Sequence, residues 1–180
     1  MARVDDLKPE DLTAEQQAIH DRIAGTRGGV VSGPFAIWLR NPALADTADR
    51  FGSTLRRCSL DKRLFELMVL IVARHWSAQY EWFAHAKHAF AVGLEPMVIE
   101  AIRHRRQPAF ARDDEQLIYD VVTEMNESKT LSQPTYERAV AALGLDRVIE
   151  LITAIGFYTM VAIMLNAFDA PVPGGARPLP

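Results

Sequence analysis

Ser77-Ala78-Gln79-Tyr80-Glu81-Trp82-Phe83-Ala84-His85-Ala86-Lys87-His88 reads as a helix whose chemistry is gathered on one side. At about 100° per residue, Ala78, Glu81, His85 and His88 fall in one narrow stripe, with bulky Tyr80, Trp82 and Phe83 largely off it. A carboxylate and two imidazoles therefore share one face of a segment otherwise built of core residues. This helical pattern recurs outward along the chain, and no convincing strand alternation competes with it.

Upstream, Leu67-Met68-Val69-Leu70-Ile71-Val72-Ala73 is apolar all round, which predicts a central, buried helix running to about Trp76, with Ser59 as its cap. Before it, Asn41 caps a helix with Pro42 in its first turn, and Leu44, Ala48, Phe51 and Leu55 are expected to face the core. Thr13 with Gln16 forms a capping box for the first helix, which Gly25, Gly28 and Gly29 close. Gly33-Pro34 then turns the chain into the short apolar piece Phe35–Leu39. Downstream of the motif, Gly93 stops its helix, Pro96 starts the next, and Asp113, Asp114 and Glu115 open another. Ser132 and Pro134 introduce a helix that Gly144 ends, and a long apolar helix follows. The expectation is an all-α protein, a single compact domain of about seven helices.

At 180 residues, 49% hydrophobic and 24% charged, the chain suits one soluble domain over 1–180 with its own core. Residues 1–32 read as an N-terminal helical extension. Residues 170–180 are too rich in proline and glycine for a helix, so a disordered tail or an arm on a neighbour is expected. A net charge of -3 gives no electrostatic reason to expect nucleic acid or an anionic membrane as partner. The lone Cys58 rules out an intramolecular disulfide, and the charged N-terminus lacks a secretory stretch, so a cytoplasmic location is expected. Leu151–Phe168 carries no charge, but Thr153, Gly156, Tyr158, Thr159 and Asn166 interrupt it, which favours a buried or subunit-interface helix over a membrane span.

The candidate site residues each have a plainer alternative. Glu81 and His85, four apart on a helix, form either a coupled acid–base pair or a structural ion pair. With His88 they could instead make a two-histidine, one-carboxylate metal site, although His-Glu-x-x-His is absent. Glu66, set before the apolar run, is either a desolvated proton donor or a salt-bridge partner of Lys62 or Arg63. Arg74 is a candidate cation for an anionic substrate, or simply an arginine at a helix C-terminus. The Arg103–Arg106 cluster reads as a solvated helix end.

Glu66 followed by Ala78-x-x-Glu81-x-x-x-His85 resembles the carboxymuconolactone decarboxylase and alkyl hydroperoxidase D superfamily. Gly33-Pro34-Phe35, Asn41-Pro42-Ala43-Leu44, Tyr80-Glu81-Trp82 and Gly156-Phe157-Tyr158 through Asn166 support the likeness, which covers about residues 33 to 168. The resemblance implies an alkyl hydroperoxidase D-like helical fold and a homo-oligomer, trimer or hexamer. The hydroperoxidase branch carries a Cys-x-x-Cys pair where this chain has Ala78 and Glu81, so dithiol peroxide reduction is not expected. The decarboxylase-like branch implies a cofactor-free lyase for a small carboxylated lactone or related cyclic acid. Glu66, Glu81 and His85 would be its catalytic residues, with Arg74, Tyr80 and Trp82 binding substrate and no metal. A small-molecule-binding or scaffold protein of the same fold is the alternative.

Overall fold

Helix-start signals and apolar stripes follow one another along this chain, and the structure is helical in consequence. The computed structural model describes residues 2–180, which hold nine α-helices, two single-turn 3-10 helices and no strand. The helices are α1 (Ala14–Thr26), α2 (Pro34–Trp38), α3 (Pro42–Leu55), α4 (Lys62–His75) and α5 (Gln79–Ala91). Then come α6 (Pro96–Arg103), α7 (Asp113–Ser128), α8 (Gln133–Leu143) and α9 (Leu145–Ala167). The count exceeds the expected seven partly because the apolar piece after Gly33 itself closes into α2. Gly33 turns at φ 60°, and Pro34 enters the first turn with its φ already helical.

The chain divides into two compact units. The first runs to Arg57 and takes in Met164–Pro171; the second comprises Cys58–Ile163 and Val172–Pro180.

In the first unit the Thr13 capping box forms as expected, with Thr13 N–H donating to Gln16 Oε1 (2.9 Å) and Gln16 N–H to Thr13 Oγ1 (3.2 Å). The stripe of α3 is rotated from the expected one. Ala45, Ala48, Asp49, Gly52 and Leu55 are buried, whereas Leu44 and Phe51 are exposed. Charge explains the rotation: Asp49 is drawn inside, where it accepts from Arg22 (2.7 Å) and Arg27 (3.0 Å). Arg27 also lies over the Phe35 ring, 3.9 Å from its centroid.

In the second unit α4 is the central element. Its residues Leu64, Phe65 and Leu67–Arg74 are buried, and α5, α6 and α7 pack against it. Its cap is Asp61, not Ser59: the Asp61 carboxylate accepts from the backbone of Arg63 (2.9 Å) and Leu64 (3.4 Å). Ser59 instead donates from backbone and hydroxyl to Glu150 on α9. Aspartate suits the cap because it adds a full charge to the helix N-terminus. Asp61→Ala should cost about 1 kcal/mol, read as a lower urea midpoint at unchanged slope, while Ser59→Ala leaves the α4 cap intact.

By length and composition α9 is apolar enough to cross a membrane, yet half of its apolar window is buried inside the protein. Within the second unit it buries Val148, Leu151, Ala154, Ile155, Phe157, Tyr158, Val161 and Ala162. This is how a core helix behaves, in keeping with the expectation.

The C-terminal tail is held against α5 and α6 of its own chain. Leu179 and Gln79 exchange two hydrogen bonds, Gln79 Nε2 to Leu179 O (3.1 Å) and Leu179 N–H to Gln79 Oε1 (3.0 Å). Arg103 Nε donates to Pro178 O (2.5 Å), and Val172 and Leu179 are buried. Proline-rich chain leaves its carbonyls free, and side-chain donors on α5 and α6 take them up.

Candidate acid–base site

His85 finds its partner on the neighbouring helix rather than on its own. Its Nδ1 lies 2.8 Å from Glu66 Oε2, with side-chain exposures of 18% and 15%. Of the cations considered for Glu66, Arg63 turns instead to Asp114 and Glu115 on α7. The contact occupies Nδ1 and leaves Nε2 outside the pair.

Aromatic rings frame the pair. Tyr158 on α9 stands edge-on to His85 at 5.2 Å between centroids and edge-on to Phe65 at 5.6 Å. These walls limit the ways the imidazole can turn. His88 lies one turn on, with its ring 6.1 Å from that of His85, and is exposed. Among the described residues no group of three or more His, Cys, Asp or Glu is placed to hold a metal ion.

Glu81 is buried to 1% exposure, and neither carboxyl oxygen has a hydrogen-bond partner among the described residues. Burial pushes its pKa well above the usual carboxylate range, so the neutral acid is favoured. Neither form of the Glu81–His85 pair considered from the spacing is present, and His85 pairs with Glu66 instead. Spacing on one helix cannot reveal a competitor across the helix interface.

The remaining candidates are dispersed. Tyr80 is half-buried on α5, whereas Trp82, at 2% exposure, is a core residue. Arg74 lies eight residues beyond Glu66, roughly 12 Å along the helix axis. There its Nε donates to Arg103 O (2.7 Å) and its Nη1 to Ser77 Oγ (3.0 Å), so Arg74 is not brought to the dyad. Tyr158 and Phe65 are the site residues that residue-type reasoning passes over. Tyr158 sits in the run from Gly156 that carries the resemblance, but nothing in its spacing places it against His85.

Among solved structures, the chain is similar to an uncharacterized peroxidase-related protein from Silicibacter sp. TM1040. The TM-score is 0.76 at 18% identity, over 94% of this chain and 90% of that one. At that identity the likeness shows the fold: this is an all-α protein with the helical architecture of a peroxidase-related protein. That architecture is consistent with the expected alkyl hydroperoxidase D-like fold. No family model matches the sequence, and no curated protein does.

Proposed function

We propose that this protein is an acid–base lyase acting on a small carboxylated lactone or related cyclic acid, with His85 as the proton-transfer group and Glu66 as its positioning partner. The observation that carries this reading is the 2.8 Å Glu66–His85 contact under the Tyr158 ring. It is the imidazole–carboxylate arrangement that general acid–base catalysis uses. The substrate class comes from the decarboxylase-like resemblance, in which Ala78 and Glu81 stand at the positions of the dithiol pair. The peroxidase-related name belongs to the structural neighbour. A lone, half-buried Cys58 does not supply the two thiols that dithiol peroxide reduction needs.

In the proposed reaction the bond between the ring carbon and its carboxylate breaks and carbon dioxide leaves. The electron pair passes into the conjugated lactone carbonyl. Protonated His85 then delivers its Nε2 hydrogen to carbon, and Glu66 holds Nδ1–H and offsets the imidazolium charge while it lasts. We further propose a cytoplasmic homo-oligomer, trimer or hexamer. Phe90 on α5, Met97 on α6 and Ile149 and Ile163 on α9 are exposed apolar side chains of the kind subunit contacts cover.

The test is turnover of a panel of carboxylated lactones, including 4-carboxymuconolactone, followed by carbon dioxide release. His85→Ala should lower the rate by about 10²–10⁴-fold with helicity and oligomer size unchanged. Glu66→Gln should retain binding but lose rate. Full activity in His85→Ala, or ligand-induced stabilisation with no product from any member of the panel, would overturn the assignment in favour of a binding protein.

A further inference from the structure

We infer that a basic cavity at the C-terminal end of α4 is a binding site for a small phosphate- or carboxylate-bearing molecule, separate from the Glu66–His85 dyad. The cavity has a volume of about 130 Å³, and Arg74, His75, Arg105, Arg106, Asn126 and Glu127 contribute to its walls. Neither Glu66 nor His85 lines it.

The first argument is charge without a counter-ion. Elsewhere in the protein Arg22, Arg27, Arg63 and Arg138 each meet a carboxylate. Among the described residues, Arg74, Arg105 and Arg106 form no such ion pair. Arg74, only 8% exposed, is held by the Arg103 carbonyl and the Ser77 hydroxyl. Arg105 donates to the carbonyls of Arg74 (3.1 Å) and His75 (3.4 Å) and to Ser77 Oγ (3.1 Å). These neutral acceptors fix the two guanidinium groups in place without cancelling their charge. Burial lowers the Arg74 pKa, and repulsion from Arg105 lowers it further. One carboxylate, Glu127, lies on the wall and works against an anion. Three guanidinium groups outweigh it.

The second argument is independent of charge. Asn126, 6% exposed on α7, also lines the cavity, and its side-chain amide nitrogen is buried without a hydrogen-bond acceptor. Buried donors are nearly always satisfied, so an unsatisfied one at a cavity wall marks where an acceptor belongs. An oxyanion answers both needs: several acceptor oxygens for Asn126 and the forked guanidinium donors, and negative charge for the arginines. The neighbouring groove, lined by Asp120, Glu124 and Arg138 and sharing Tyr119, Thr123 and Glu127 with the cavity, leaves polar room for the rest of the molecule.

Calorimetric titration of the full chain with inorganic phosphate, and separately with succinate, at ionic strength held constant with sodium chloride, tests this. The expected result is saturable binding of at least one of the two, one per chain. Phosphate alone would point to a phosphate-bearing molecule and succinate alone to a carboxylate-bearing one. Arg106→Gln and the near-isosteric Asn126→Asp should each weaken binding by about tenfold or more, since each removes a charged or donor contact to the anion. Among the described residues the Arg106 side chain makes no hydrogen bond or ion pair, and its backbone N–H bond to Ala101 O (2.8 Å) survives the substitution, so the variant keeps the fold. His85→Ala should bind as the parent does, which separates this site from the proposed lyase chemistry. No saturable binding at millimolar concentrations of either probe, or binding unmoved by both Arg106→Gln and Asn126→Asp, would overturn the inference.

Discussion

Glu81→Gln should make the protein more stable than the parent at neutral and alkaline pH, by a margin that widens as pH rises. In the unfolded chain Glu81 loses its proton near the ordinary glutamate value of 4.5, whereas burial in the fold holds the proton on to a well higher pH. Between those two points the native state keeps a proton that the unfolded state has released. Stability of the parent therefore falls with pH, by up to about 1.4 kcal/mol per pH unit, until the native group itself ionises. Glutamine keeps the size and neutrality of the protonated side chain and removes that slope. Urea unfolding at pH 4.5, 6 and 7.5 is the measurement. Parent and variant should match at the lowest pH and diverge above it. Parallel profiles would show that Glu81 ionises in the fold as it does in water. A buried, unpartnered acid that lowers stability at working pH is the kind of local inconsistency that functional sites retain.

Arg63→Ala should be the most damaging single change among the ion pairs, costing about 3–5 kcal/mol. Arg63 in the first turn of α4 reaches Glu115 and, at 3.1 Å, Asp114, both in the first turn of α7. Glu115 is 3% exposed, so removing its cation leaves a carboxylate buried without compensation. The N-terminus of α7 offsets part of that cost, which places the expected value toward the lower end of the range. Replacing both partners, Arg63→Met with Glu115→Met, should recover most of the loss, because an apolar pair of similar volume has no charge to desolvate. Urea unfolding of the two singles and the double variant closes the cycle. A double variant as unstable as Arg63→Ala would show that an uncompensated Glu115 charge is not the source of the loss.

Much of the helical framework is legible in the chain because its signals are local. Thr13 with Gln16, Asn41 with Pro42, and Gly144 lie beside the helix ends they make, and the apolar run from Leu67 to Ala73 announces its own burial. The misreadings share one cause. Ser59 and Asp61 are both good caps on local grounds, and the choice between them rests on Glu150, which attracts Ser59 from far along the chain. Leu44 and Phe51 fit a helical stripe as well as Ala45 and Asp49 do, until Arg22 and Arg27 draw Asp49 inside.

The stripe on α5 divides in the same way. Sequence by itself determined that Glu81, His85 and His88 share a helix face, that Glu66 lies upstream in a buried helix, and that no thiol pair stands at Ala78 and Glu81. Helical periodicity and residue chemistry suffice for that. Only the tertiary structure decided that His85 pairs with Glu66, that Glu81 is sealed in without a partner, and that Arg74 belongs to a different cavity. Those are contacts between residues from different elements, set by how α4, α5, α7 and α9 pack, and spacing along one helix carries no information about them.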